Sequence, residues 1–201
     1  MTTVGLLLAA GAGRRMGGPK ALVRPTADGP TLLEVTLDRL VGAGLEQVVV
    51  VLGAAADEAR ATADVPGVAV VVAEDWDEGM GASLRAGLRH LGATAAPEVH
   101  AALVTLVDLP DVGTRVYRRV LSATRGTGPK VLLRATYDGT AGHPVVLGRA
   151  HWAAVADTAR GDRGARDHLA AHPPTPVECG DLASGADADT PEALSRHPHA
   201  P

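Results

Sequence analysis

Leu6-Leu7-Leu8-Ala9-Ala10-Gly11-Ala12-Gly13-Arg14-Arg15-Met16-Gly17-Gly18-Pro19-Lys20 decides how the rest of the chain is read. An apolar run ends in a loop holding four glycines, two adjacent arginines and a lysine. Glycines let backbone N–H groups approach a ligand closely and turn through positive φ. Three cations in so short a loop fit a ligand carrying several negative charges, such as a triphosphate.

Two familiar phosphate loops do not fit. A P-loop needs Gly-x-x-x-x-Gly-Lys-Ser/Thr, but Lys20 follows Pro19 and precedes Ala21, so no hydroxyl is placed for Mg²⁺. A dinucleotide fingerprint needs Gly-x-Gly-x-x-Gly opening into a helix, and an acid at the end of the second strand for the ribose. Gly11, Gly13 and Gly17 are one residue off that spacing, and the second apolar run ends Val51-Leu52-Gly53 without a carboxylate.

The chain has 201 residues, 46% of them apolar, which predicts one domain over 1–196 with a sizeable core and a frayed tail over 197–201. Aromatics make up 2%, with no Phe, so the core must be Val, Leu and Ala. That suits a buried parallel sheet under Ala-rich helices. A net charge of −4 argues against a nucleic-acid or anionic-membrane surface. One cysteine, Cys179, excludes an internal disulfide and a cysteine-cluster metal site. No apolar run approaches the ~20 residues of a membrane span, and no basic region precedes the first apolar stretch. The expectation is a soluble, cytoplasmic protein.

Strand and helix patterns alternate along the chain. Strands are predicted over 4–9, 47–52, 68–72, 101–107, 130–136, 144–147 and 176–179, with a turn at Asp138-Gly139. Helices are predicted over 31–43, 54–63, 82–91, 113–123, 151–158 and 163–171, and from Thr190 onward. This order predicts an α/β fold: a Rossmann-like three-layer αβα sandwich with a mostly parallel sheet. Ligands of such sheets bind beyond the carboxyl ends of the strands. The Gly loop and Asp108 both follow apolar strands and should open on that edge. A carboxylate there can give one hard oxygen to Mg²⁺ shared with phosphate. Asp111 is the better cap for the helix that follows.

The opening stretch is similar to the signature of MobA-like nucleotidyltransferases, Leu-Ala-Ala-Gly-x-(Gly/Ser)-x-Arg-Met-Gly-x-x-Lys. Gly79–Leu88, Leu106–Pro110, Gly142–Val145, Gly161–Arg166 and Asp187–Glu192 resemble further motifs of its molybdenum cofactor cytidylyltransferase (MocA-like) branch, in the same order. The resemblance implies a nucleotide-diphospho-sugar-transferase-like fold and nucleotidyl transfer. Arg15 and Lys20 would contact phosphates and, with Asp108, carry catalysis; Arg14 would be a rim contact. Backbone around Leu8, Ala9, Ala10, Gly11 and Gly13 would read the base, and Ser83 would either hydrogen-bond near the base or cap its helix. The Ala-Ala-Gly form looks like cytidine-preferring members. Ala73 stands where relatives often carry Asn, three positions before the Trp.

The same resemblance supplies a second metal carboxylate from Asp187 or Asp189. Asp189-x-x-Glu192 also reads as a capping box with Pro191 in the first turn, which leaves Asp187 as first choice and Asp189 as second. His143, Asp162 and Arg166 would contact the acceptor. Asp162 and Arg166 read equally as an i,i+4 ion pair. The implied reaction moves CMP from CTP to the phosphate of molybdopterin with Mg²⁺ as cofactor, for delivery to a molybdoenzyme or its chaperone. Two rivals remain: a transferase using another phosphorylated acceptor or GTP, and a non-catalytic accessory protein that carries nucleotide or finished cofactor.

Overall fold

The structure is a computed structural model and describes residues 2–196; the predicted frayed tail lies outside the described residues. Seven strands form one sheet: β1 (Thr2–Leu8), β2 (Val48–Leu52), β3 (Val68–Val72), β4 (Val99–Leu106), β5 (Leu132–Tyr137), β6 (Thr140–Gly148) and β7 (Thr175–Glu178). Their spatial order is β3-β2-β1-β4-β6-β5-β7. All neighbouring pairs are parallel except those of β6, which runs antiparallel to β4 and β5. The β5–β6 hairpin turns at Asp138 and Gly139, both at positive φ, as a two-residue hairpin loop requires.

Side chains alternate between the sheet faces, and helices cover both. Leu7, Val48, Val50 and Leu52 face one apolar layer, shared with α1 (Leu32–Gly42), α2 (Ala56–Thr62), α4 (Thr114–Ala123) and α7 (Pro191–Ser195). Val4, Leu6, Leu8, Val49 and Val51 face the other, shared with α3 (Met80–Thr94), α5 (Trp152–Thr158) and α6 (Arg166–Ala171). Each fully buried Leu contributes roughly 1.5–3 kcal/mol, and Leu6, Leu7, Leu33, Leu37, Leu40, Leu52, Leu88 and Leu103 are all buried. The start of α1 is set by a capping box: Thr31 Oγ1 accepts from Glu34 N–H at 3.2 Å and Glu34 Oε2 accepts from Thr31 N–H at 2.6 Å.

Two local expectations are corrected. The helix predicted over 163–171 is broken at Gly164, which takes φ +52°, leaving a 3-10 turn at Gly161–Arg163 and then α6. Asp111 does not cap α4, whose N-cap is Gly113. Arg85 of α3 is buried. Among the described residues no helix is long and apolar enough to cross a membrane.

Candidate active site

β1 pairs with β2 on one side and β4 on the other, so the strand order changes direction between β1 and β4. Leu8 and Leu106 are register partners at the carboxyl ends of these two strands. The Gly loop leaves β1 and the Asp108 turn leaves β4 at that same edge, where open α/β sheets bind ligands.

The loop folds on its own backbone. Met16 N–H donates to Gly13 O at 2.7 Å, and Lys20 N–H to Gly11 O at 3.3 Å. Gly13 takes φ +55°, and a Cβ there would lie 2.0 Å from Gly18 O, so no other residue fits. Met16 is buried and anchors the loop in the core, while Arg14 and Arg15 stay exposed.

Lys20 closes the loop against two carboxylates. Its Nζ lies 2.5 Å from Asp108 Oδ2 and 2.6 Å from Asp189 Oδ1. Arg15 Nη2 reaches the other oxygen of Asp189 at 2.8 Å. Burial acts to lower the Lys20 pKa, but Asp108 and Asp189 outweigh it and hold the ammonium above its ordinary value. Lys20, and to a lesser degree Arg15, hold the Asp189 carboxyl below the usual carboxylate range against the opposing effect of burial.

Asp189 is brought there by its own segment's anchors. Ala188 N–H donates to Asp108 O at 2.8 Å. The N–H and hydroxyl of Ser184 each donate to Asp111 Oδ2 at 2.6 Å. The capping reading of Asp189 is therefore corrected: Thr190 is the N-cap of α7, accepting from Ala193 N–H at 3.2 Å. Asp187, the first choice, is exposed, and its charge acts on His143 rather than on Lys20.

Asp108 and Asp189 thus present hard oxygens to one point, now occupied by Lys20 Nζ. Asp108 Oδ1 is buried with no hydrogen-bond partner among the described residues, as a carboxylate shaped for a further cation would leave it. Among the described residues no group of three or more His, Cys, Asp or Glu side chains suits a metal. A divalent ion held by this pair would complete its shell from phosphate and water, a common arrangement for Mg²⁺.

A cleft of about 470 Å³ opens beside this cluster, lined by Leu8, Ala10–Arg15, Lys20, Trp76, Asp77, Met80, Ser83, Asp108, Asp162 and Asp189, among others. Ala9, buried under the loop, donates its N–H to Val51 O at 2.9 Å and does not line the cleft. Ser83 does not cap α3, whose N-cap is Gly79; it faces the cleft. A second cavity of about 90 Å³ shares Leu8 and Met80 with the first and is lined by Arg134, His143, Arg163 and Arg166. Burial, and then the Arg134 guanidinium, push the His143 pKa down to about 4 against the opposing effect of Asp187. Burial and the Arg166 cation likewise lower the pKa of Arg134.

The structure therefore joins Arg14, Arg15, Lys20, Ser83, Asp108, Asp162 and Asp189 at one cleft, with His143 and Arg166 in the adjoining cavity. The predicted Asp162–Arg166 ion pair does not form; Arg163 pairs with Asp167 instead. Trp76 and Arg134 were not singled out from sequence. Trp76 was visible only as a marker for Ala73, and an Arg inside a strand carries no local sign of facing a cavity.

The sequence pattern of the MobA-like NTP transferase domain matches residues 5–176. The chain is 38% identical to nicotine blue oxidoreductase from Paenarthrobacter nicotinovorans, over 96% of this chain and 94% of that protein. Rv0371c from Mycobacterium tuberculosis H37Rv superposes with a TM-score of 0.80 at 30% identity, covering 98% of this chain and 96% of that one. A manganese complex of Rv0371c superposes with a TM-score of 0.73 at 28% identity, covering 96% and 98%. With the Gly loop, the Lys20–Asp108 pair and the strand-order switch in place, the chain belongs to the MobA-like NTP transferase domain family, and its activity class is nucleotidyl transfer.

Proposed function

We propose that this protein is a Mg²⁺-dependent cytidylyltransferase that moves CMP from CTP to the phosphate of molybdopterin and releases pyrophosphate. The observation that carries this reading is the meeting of Lys20 with Asp108 and Asp189 at the mouth of the Gly loop. It sets a cation for the triphosphate beside a carboxylate pair suited to a divalent ion.

In this reading an acceptor phosphate oxygen attacks the α-phosphorus of CTP in line. The bond from that phosphorus to the bridging oxygen breaks, and pyrophosphate leaves with the electron pair. A phosphate nucleophile is already anionic near neutral pH, so no strong general base is needed. Asp108 and Asp189 would hold Mg²⁺, which would supply Lewis-acid neutralisation of phosphate charge. Lys20 and Arg15 stabilise charge on the transferred group and the departing pyrophosphate, with Arg14 at the rim. Backbone around Leu8–Gly13, with Ser83, holds the nucleoside. Asp162 would border the acceptor, with His143, Arg166 and Arg134 in the smaller cavity beside the cleft. The manganese bound by Rv0371c supports a divalent ion in this fold.

The test is pyrophosphate release with each of four NTPs, Mg²⁺ and molybdopterin. Release specific to CTP supports the proposal. Release with GTP alone overturns the cytidine assignment, and nucleotide binding without release points to the accessory role. The relative named nicotine blue oxidoreductase favours a second reading, oxidoreduction of a compound such as nicotine blue. Oxidation of a nicotinamide cofactor without pyrophosphate release would establish it. The missing ribose carboxylate after Val51-Leu52-Gly53 weighs against that alternative.

A further inference from the structure

The cleft has a lining of two chemically different kinds. Lys20, Arg15, Asp108 and Asp189 give it charge, and Leu8, Ala10, Trp76 and Met80 give it apolar wall. The chain has two Trp, two Tyr and no Phe, and Trp76 is the one aromatic side chain among the described residues lining this cleft. We propose that Trp76 is the platform on which the nucleobase stacks, and that Arg85 is the positioning residue that holds it there. The inference rests on the reading that the cleft binds a nucleoside triphosphate.

Trp76 is half-buried, with its inner side on the apolar layer beneath α3. Room for it is made at Gly53, where a Cβ would lie 2.5 Å from Trp76 Cβ and Cγ and 2.8 Å from Ala10 Cβ. The bare backbone leaving β2 thus lets the Trp76 turn close against the Gly loop. Trp76 opens a 3-10 turn, Trp76–Glu78, whose flanking acids are both held by one guanidinium. Arg85 Nη2 donates to Asp75 Oδ2, and to Glu78 Oε2 at 2.8 Å, while Nη1 donates to Ala159 O at 3.1 Å. A buried guanidinium is tolerated only when paired in this way, and here its partners bracket Trp76. Stacking on an aromatic face tolerates any base. Trp76 therefore sets affinity for the nucleoside, and backbone groups of the loop set the choice of base.

The test measures equilibrium binding of CTP, CMP and pyrophosphate to the full chain, by calorimetry and tryptophan fluorescence. CTP and CMP quench the wild-type emission, and pyrophosphate does not. Trp76→Phe abolishes the quench, because the remaining Trp152 is buried with Nε1 donating to Leu147 O at 2.8 Å, yet it keeps affinity within a few-fold. Trp76→Leu weakens CTP about five- to a hundredfold and leaves pyrophosphate unchanged. Arg85→Met lowers the ratio of CTP to pyrophosphate affinity, and Arg85→Lys restores part of it. Unchanged CTP affinity in folded Trp76→Leu, or equal weakening of CTP and pyrophosphate in Arg85→Met, overturns the proposal. A chain that binds CTP through Trp76 but transfers nothing leaves the platform standing while the transferase reading fails. Turnover of CTP without any quench does the reverse.

Discussion

Lys20 Nζ lies 2.5 Å from Asp108 Oδ2 although 88 positions separate the two residues in the chain. One carboxylate pair therefore faces an ammonium that the proposed reaction needs at the phosphates. Lys20→Ala removes the cation and leaves Asp108 and Asp189 facing one another. Turnover should fall by about 10²–10³, while the free chain's affinity for Mn²⁺ rises. Steady-state kinetics and calorimetric Mn²⁺ titration check the two opposite signs. Asp108→Asn should lower both.

Gly13→Ala places a methyl group 2.0 Å from Gly18 O at a φ of +55°. The loop must open, costing about 1 kcal/mol or more, or a fall of roughly 2–4 °C in Tm for a chain of this size. The stabilisation that saturating CTP confers, RT ln(1 + [L]/Kd), should vanish. Thermal melts with and without CTP measure both effects.

Asp111 holds the segment that delivers Asp189, accepting from Ser184 N–H and Ser184 Oγ–H at 2.6 Å each. Asp111→Ala should cost about 1.5–3 kcal/mol, the range for hydrogen bonds to a charged group. It should also weaken Mn²⁺ binding, because the Asp189 segment loses one of its two anchors. Ser184→Ala keeps the backbone donor and should cost less on both counts. Urea unfolding beside Mn²⁺ titration tests the coupling.

Glu178 sits among donors at the end of β7. The N–H of Gly180, the hydroxyl of Thr136 and the N–H groups of Asp138 and Gly139 bring its pKa down to about 2. A carboxyl held this low in the fold stabilises it above the unfolded-state pKa, near 4.3. The contribution fades as pH falls from there towards 2. Glu178→Gln should be destabilised relative to wild type at pH 7, and the gap should narrow steadily between about pH 4.3 and pH 2. Urea midpoints across that interval provide the measurement.

The central strands were legible because β2, β3 and most of β1 and β4 are runs of Val, Leu and Ala that a sheet covered on both faces demands. Thr31 and Glu34 announced α1 by their spacing. Asp189 and Glu192 showed the same spacing and misled: the neighbouring Thr190 takes the cap, and Asp189 is drawn to Lys20 and Arg15. The burial of Arg85 was not legible, because a helical period cannot foresee carboxylates arriving from a neighbouring turn. Arg134 escaped notice because alternation along β5 does not say which face adjoins a cavity.

Local chemistry alone determined that this chain must cradle a polyanion. Glycines and cations in one short loop after an apolar strand have few other uses, and the period of the flanking runs dictated an α/β sheet. Which acid meets Lys20 was decided by tertiary structure, because Asp108, Asp187 and Asp189 are chemically alike. Only the path of the segment between β7 and α7, pinned at Asp111 and at the Asp108 carbonyl, turns one of the last two inward.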